Sequence, residues 1–152
     1  MLSEDDINLL IAAHSLELAA RDIYASAVSS KSRSDDEQGL LALIHSHHAV
    51  YEQTLNGVLG KRAATMRNDE AYTKFFALLS NASQLWPTLL ELENTAIATH
   101  TMIIAKLASA KNAALLGSIT IVEARHAAML ATRISTNLDL ALNNTAQSLV
   151  TQ

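Results

Sequence analysis

Four glycines and one proline punctuate 152 residues, and this scarcity limits the fold more than any other feature of the sequence. Strands and hairpins need such residues to turn, so an all-β or α/β design has little to work with. Alanine and leucine, the strongest intrinsic helix formers, are abundant instead. The chain reads as all-α. Aromatic residues make up only 4% of it, so the core has to be closely spaced aliphatic helices. A single domain, residues 1–152, is the economical partition and is long enough to bury a substantial core.

Apolar spacing lays out four long helices. Ser3 followed by Asp6 is a capping-box variant, with acid at the positive end of a helix over about 4–29. Leu9, Leu10, Ala13, Leu16, Ala20, Ile23 and Ala27 recur there at helical period until the polar stretch "SSKSRSDD". Ser34 with Glu37 starts a second helix, about 35–57, which stops near Gly57 or Gly60. So short a connection makes the two helices antiparallel neighbours. Beyond Gly60 the pattern is less regular: "DEAYTKFFALL" can form a short helix and "SNAS" a turn. Pro87 suits the first turn of a third helix, about 87–108. A polar break at Ser109–Asn112 leads to a fourth, about 113–134, and a short C-terminal helix can follow Asn137. Two hairpins joined by a long crossover make a four-helix bundle.

Several function classes drop out. The net charge is −4 and no Lys/Arg cluster is present, which argues against a nucleic-acid partner. Without cysteine there is no disulfide framework. The start, "MLSEDDINLL", is acidic where a secretory signal is basic. The longest run free of Asp, Glu, Lys and Arg, Phe75–Leu90, contains Ser, Asn, Gln and Pro and is too short for a membrane span. A cytoplasmic protein with no membrane partner is the expectation. No nucleophile triad or Gly-rich phosphate loop is visible, so hydrolase and nucleotide-binding readings have no support.

The two halves of the chain resemble each other. Aligned on Leu-Glu, "SLELAARDIY" (15–24) and "ELENTAIATH" (91–100) match Glu17 to Glu93, Ala20 to Ala96 and Tyr24 to His100. "IHSHHAV" (44–50) and "VEARHAA" (122–128) match His48 to His126, His45 to Glu123 and Ala49 to Ala127, at nearly the same separation. Two matched pairs in the same order, each centred on Glu or His in apolar surroundings, stand out even in an Ala-rich chain.

Those positions carry chemistry. Glu123-x-x-His126 is an i, i+3 pair, so both side chains project from one helix face, and His45-x-x-His48 has the same geometry. Glu17 and Glu93 interrupt apolar stripes, where an unpaired carboxylate is costly. Carboxylates and imidazoles converging from four helices can neutralise a cation or hydrogen-bond to one another. One Glu from each of two helices, with a Glu-x-x-His from each of the other two, is the di-iron or di-manganese carboxylate arrangement. Carboxylates bridge cations and offset their charge, while neutral imidazoles complete the coordination. His47 lies between the facing positions and is expected at the surface or an interface.

The order Glu17, His45-x-x-His48, Glu93, Glu123-x-x-His126 resembles the ferritin-like superfamily. The "LE" of the first and third helices and "EARHAAML" of the fourth are similar to small bacterial ferritin-like domains of unassigned function. The resemblance covers the whole chain as architecture. It implies a ferritin-like four-helix bundle with a metal pair at mid-bundle, of iron, with manganese or zinc as alternatives. It also implies an oxidase or ferroxidase role, that of a non-haem metal-dependent oxidoreductase. The metal candidates are Glu17, His45, His48, Glu93, Glu123 and His126, with Glu52 a lesser one; His14, Tyr24 and His100 stand behind them as partners of the ligands. The pattern departs at His45, where the family places a glutamate, and one carboxylate is lost. A site of three Glu and three His can hold one metal, an asymmetric pair, or none. The competing expectation is a metal-free helical bundle acting as a structural, homodimerisation or interaction module.

Overall fold

The structure is a computed structural model that describes residues 2–29 and 33–150. Six α-helices follow in order: α1 (Glu4–Val28), α2 (Asp35–Leu59), α3 (Asp69–Phe76), α4 (Leu85–Lys106), α5 (Ala110–Ala131) and α6 (Leu138–Leu142). No strand occurs among the described residues. Of the polar stretch expected to end the first helix, residues 30–32 lie outside the described ones.

Local chemistry sets the helix ends. Ser3 accepts the Asp6 N–H, and Ser34 and Glu37 form a reciprocal capping box. Leu59 hands over to Gly60 at φ 56°, a backbone state that glycine adopts without a side-chain clash. The third long helix starts at Leu85, two residues before its expected start, and Pro87 occupies its first turn, where no N–H is needed. The fourth starts at Ala110 rather than at 113. Ser109, within the polar stretch read as a break, is its cap and accepts the Asn112 N–H.

Contacts between helices run in opposing register. His14 and Glu17 of α1 meet Glu52 and His48 of α2, so these two helices are antiparallel. Glu93 and His100 of α4 meet His126 and Glu123 of α5 in the same sense. Tyr24 and Glu17 of α1 meet Glu93 and His100 of α4. By length and composition α5 alone among the described helices could cross a membrane; here it packs along α4.

Two apolar layers form the core. One gathers Leu16, Ile23, Leu41, Ile44, Leu89 and Leu130, and the other Leu10, Ala13, Leu55, Ile103, Leu116 and Ile119. Every long helix also carries buried polar residues near the middle of the bundle: Glu17, His48, Glu93 and His100, and Glu123 and His126. The bundle therefore has a buried polar waist.

Asp6 departs from its expected capping role. Ser3 supplies its half of the box, but the Asp6 carboxylate accepts the N–H groups of Ala108 (2.9 Å) and Ser109 (3.0 Å) instead of turning back to residue 3. It thereby ties α1 to the α4–α5 connection. The crossover is tied down in turn: Asn68 N–H donates to the Ser15 carbonyl at 2.8 Å, and α3 buries Ala71 and Phe75. At the other end Asn144 donates to the Asn94 carbonyl, and Leu149 N–H to Thr99 Oγ1, laying the C-terminal segment along α4.

Candidate metal centre

The polar waist is built from one or two residues of each long helix. Glu17, Tyr24, His48, Glu93, His100 and Glu123 are fully buried, and His126 is 6% exposed. Nδ1 of His48 lies 2.8 Å from Glu17 Oε2, and its Nε2 lies 3.1 Å from Glu93 Oε1. Tyr24 donates its hydroxyl to Glu93 Oε1 at 2.5 Å, and its ring lies parallel to His48 with centres 5.2 Å apart. His126 Nδ1 lies 3.3 Å from Glu93 Oε2, and His100 Nδ1 lies 3.0 Å from Glu123 Oε2.

Ionised carboxylates only accept, so His48, with a carboxylate at each nitrogen, carries both hydrogens. Burial opposes its positive charge, but Glu93 and Glu17 outweigh it and hold His48 well above the usual imidazole range. Burial would likewise raise Glu93; His48 and His126 hold it down to about 2. Glu123 goes the other way. Burial, with the nearby charges of Glu17 and Glu93, pushes it up to about 7 against the pull of His100. Two carboxylates of the waist are thus not equivalent: Glu93, hydrogen-bonded to His48 and His126, is held down, while Glu123 is pushed up.

Two overlapping donor groups have ligand atoms within 4.8 Å of one another: His48, Glu93 and His126, and Glu17, His48 and Glu123. Three further atoms bear on the fit of a cation. Glu17 Oε1, Glu123 Oε1 and His100 Nε2 are buried without any hydrogen-bond partner. His100 Nε2 faces Glu17 Oε1 at 3.5 Å, too far for a good hydrogen bond. An orphaned buried acceptor costs roughly 1–3 kcal/mol, and a coordinated cation would relieve both carboxylate oxygens. The donor set is mixed oxygen and imidazole nitrogen, which suits iron, manganese or zinc rather than calcium or magnesium.

Not every expected residue reaches this centre. Glu17, His48, Glu93, Glu123 and His126 come together, with Tyr24 and His100 against them. His45 does not. It is half-buried beside the waist and makes no hydrogen bond or ion pair among the described residues. The physical reason is position on the helix: His45 lies on the other side of His48 from Ile44, His47 and Tyr51, and it is that stripe which meets the neighbouring helices at the waist. Glu52 and His14 are also elsewhere. Glu52 accepts from His14 Nε2 (3.3 Å) and Arg21 (3.2 Å), while His14 Nδ1 accepts the Ala64 N–H at 3.0 Å. Together they fasten the crossover to the hairpin.

His47, expected at the surface, instead meets the site: its Nδ1 lies 2.8 Å from His126 Nε2. Burial and the neighbouring rings of His126 and His48 lower its tendency to protonate. A signal existed in the sequence. Ile44, His47, His48 and Tyr51 lie at i, i+3, i+4 and i+7 and form one stripe, centred a little to the other side of His48 from His45.

The internal repeat is visible in space. Tyr24 of α1 reaches Glu93 of α4, and its counterpart His100 of α4 lies 3.5 Å from Glu17 of α1, the counterpart of Glu93. A family model described as a ferritin-like domain matches residues 5–136. No curated protein and no solved structure gives a match. Two antiparallel hairpins, a buried Glu/His waist and a family match over most of its length place this chain in the ferritin-like domain family.

Proposed function

We propose that the polar waist is an iron centre, and that its redox role is oxidation of bound ferrous ion with dioxygen accepting the electrons. The orphaned carboxylate oxygens Glu17 Oε1 and Glu123 Oε1, in a donor group with His48, carry this reading. Bound iron would supply one-electron chemistry that no side chain here possesses. Glu17, Glu93 and Glu123 would offset its charge, and His48 and His126 would add neutral nitrogen once His48 has given up its extra proton. The apolar layers on either side keep bulk water from the ligands.

Chelator-treated protein titrated anaerobically with Fe(II), then exposed to air, tests the proposal. Saturable binding at fixed stoichiometry and oxidation on exposure are expected. Glu123→Ala should abolish both, and Glu123→Gln, which keeps the shape, should weaken binding at least about tenfold with helicity unchanged by circular dichroism. Absent binding, or binding indifferent to both variants, overturns it.

One observation favours a second reading. The waist also closes upon itself: His48 is neutralised by Glu17 and Glu93, Tyr24 caps Glu93, and His100 meets Glu123. A metal-free structural or dimerisation module would need no more. Leu43 and Val50 of α2, and Ile121 and Met129 of α5, are then apolar side chains exposed for contact. Protein that takes up no metal decides for this alternative.

A further inference from the structure

The contact between His47 and His126 has a definite geometry. Their facing nitrogens are 2.8 Å apart, their ring centres 5.1 Å apart, and their planes within 11° of parallel. With nitrogens so much closer than the ring centres, the rings meet edge to edge, not face to face. No cation fits between those nitrogens, since two metal–nitrogen bonds of about 2.1 Å need roughly 4 Å. The contact is a hydrogen bond.

The other edge of His126 gives that bond its direction. Nδ1 of His126 faces Glu93, an ionised carboxylate that can only accept, so Nδ1 carries the ring's hydrogen. In that tautomer Nε2 is an acceptor, and His47 donates to it from Nδ1. A metal ligand has the opposite need. Its Nδ1 must offer a lone pair, its hydrogen must stand on Nε2, and that hydrogen needs an acceptor. An imidazole nitrogen can serve both states, donating in one tautomer and accepting in the other.

We propose that His47 is a positioning residue for His126: by exchanging donor for acceptor, it lets His126 present Nδ1 to a metal ion while keeping its outer hydrogen bond. This rests on the metal-centre reading above. The hydrogens balance. His126 releases the one on Nδ1 to solvent and takes on Nε2 the one that His47 held on Nδ1. His47, half-buried, takes one from solvent on its own Nε2. Each ring ends with one hydrogen and no ring changes charge. The role belongs to this chain's own arrangement: in the internal repeat His47 aligns with Arg125, not with a second histidine.

Zinc binding by the full chain, measured calorimetrically after chelator treatment, is compared for the parent, His47→Leu and His47→Gln. His47→Leu should weaken affinity about 10–100-fold. His47→Gln should recover most of the loss, because an amide can turn to offer either oxygen or N–H. Long-range proton–nitrogen NMR on the parent should show the hydrogen on Nδ1 of both rings without metal, and on Nε2 of both with zinc. Undiminished affinity in His47→Leu, no rescue by His47→Gln, or a metal-free His47 protonated on Nε2 alone overturns the proposal and leaves the metal centre standing. A parent chain that binds neither zinc nor iron overturns both.

Discussion

Nδ1 of His48 stands 2.8 Å from Oε2 of Glu17, and neither side chain has any exposure to solvent. Because Nε2 of the same ring faces Glu93, the centre of the bundle already holds a positive charge, that of a buried imidazolium. A metal ion bound here would compete with this proton for the same carboxylates, so on the metal-centre proposal binding is an exchange of cations.

That exchange should be measurable as proton release. His48 is held well above its ordinary 6.5, so it is protonated at neutral pH and must lose a proton to become a ligand. Affinity should rise with pH. Calorimetry in two buffers of different ionisation enthalpy should show about one proton released per site from this residue. Heats independent of the buffer would mean that His48 is neutral before metal arrives.

Stability of the metal-free protein should fall as pH rises. Glu123 is raised in the folded state to about 7 from an ordinary 4.5, so its contribution is complete below 4.5 and lost as pH climbs to about 7. His48 adds in the same direction, its contribution present below 6.5 and lost above, through its folded value. Glu93 has the opposite sign: depressed to about 2, it contributes above 4.5 and loses this only as pH falls toward 2. Thermal melts in chelator should show Tm falling between pH 4.5 and 7 by several degrees more in the parent than in Glu123→Gln. Equal slopes in the two proteins would remove Glu123 as the cause.

Asp6 is expected to matter for stability and not for metal. Asp6→Ala leaves the N–H groups of Ala108 and Ser109 without their acceptor, at a cost of roughly 1–3 kcal/mol. Urea unfolding should register this loss while metal affinity stays at the parent value. A parent-like midpoint would show that the tie between α1 and the α4–α5 connection carries no net energy.

Glu52 and His45 should prove dispensable for metal binding. Glu52→Gln loosens the His14 and Arg21 contacts, so amide exchange around residues 63–68 should quicken with metal stoichiometry unchanged. His45→Ala should change neither. A stoichiometry that drops in either variant would return that residue to the ligand set.

The helices were legible because their signals are local. Apolar residues at Leu10, Ala13, Leu16, Ala20 and Ile23 specify a buried stripe whatever they pack against, and Ser34 with Glu37 marks a helix start without reference to the rest of the chain. The same locality made the polar waist visible, since Glu17, Glu93 and Glu123 stand out within such stripes. It failed where a side chain had a choice of distant partners. Asp6 looked like half of a capping box until two backbone N–H groups about a hundred residues away offered more.

The histidines of α2 show the division most plainly. Sequence alone determined that a helix would carry His45, His47 and His48 past a row of buried carboxylates, and that His48 would face them, because it shares the stripe of Leu41, Ile44 and Leu55. Residues 45 and 47 flank that stripe on opposite sides, and period points both ways: the i, i+3 pair with His48 favours His45, the row Ile44, His48, Tyr51 favours His47. Tertiary structure decided it. α5 lies on His47's side of α2 and brings Nε2 of His126 to it, while His45 makes no hydrogen bond or ion pair among the described residues.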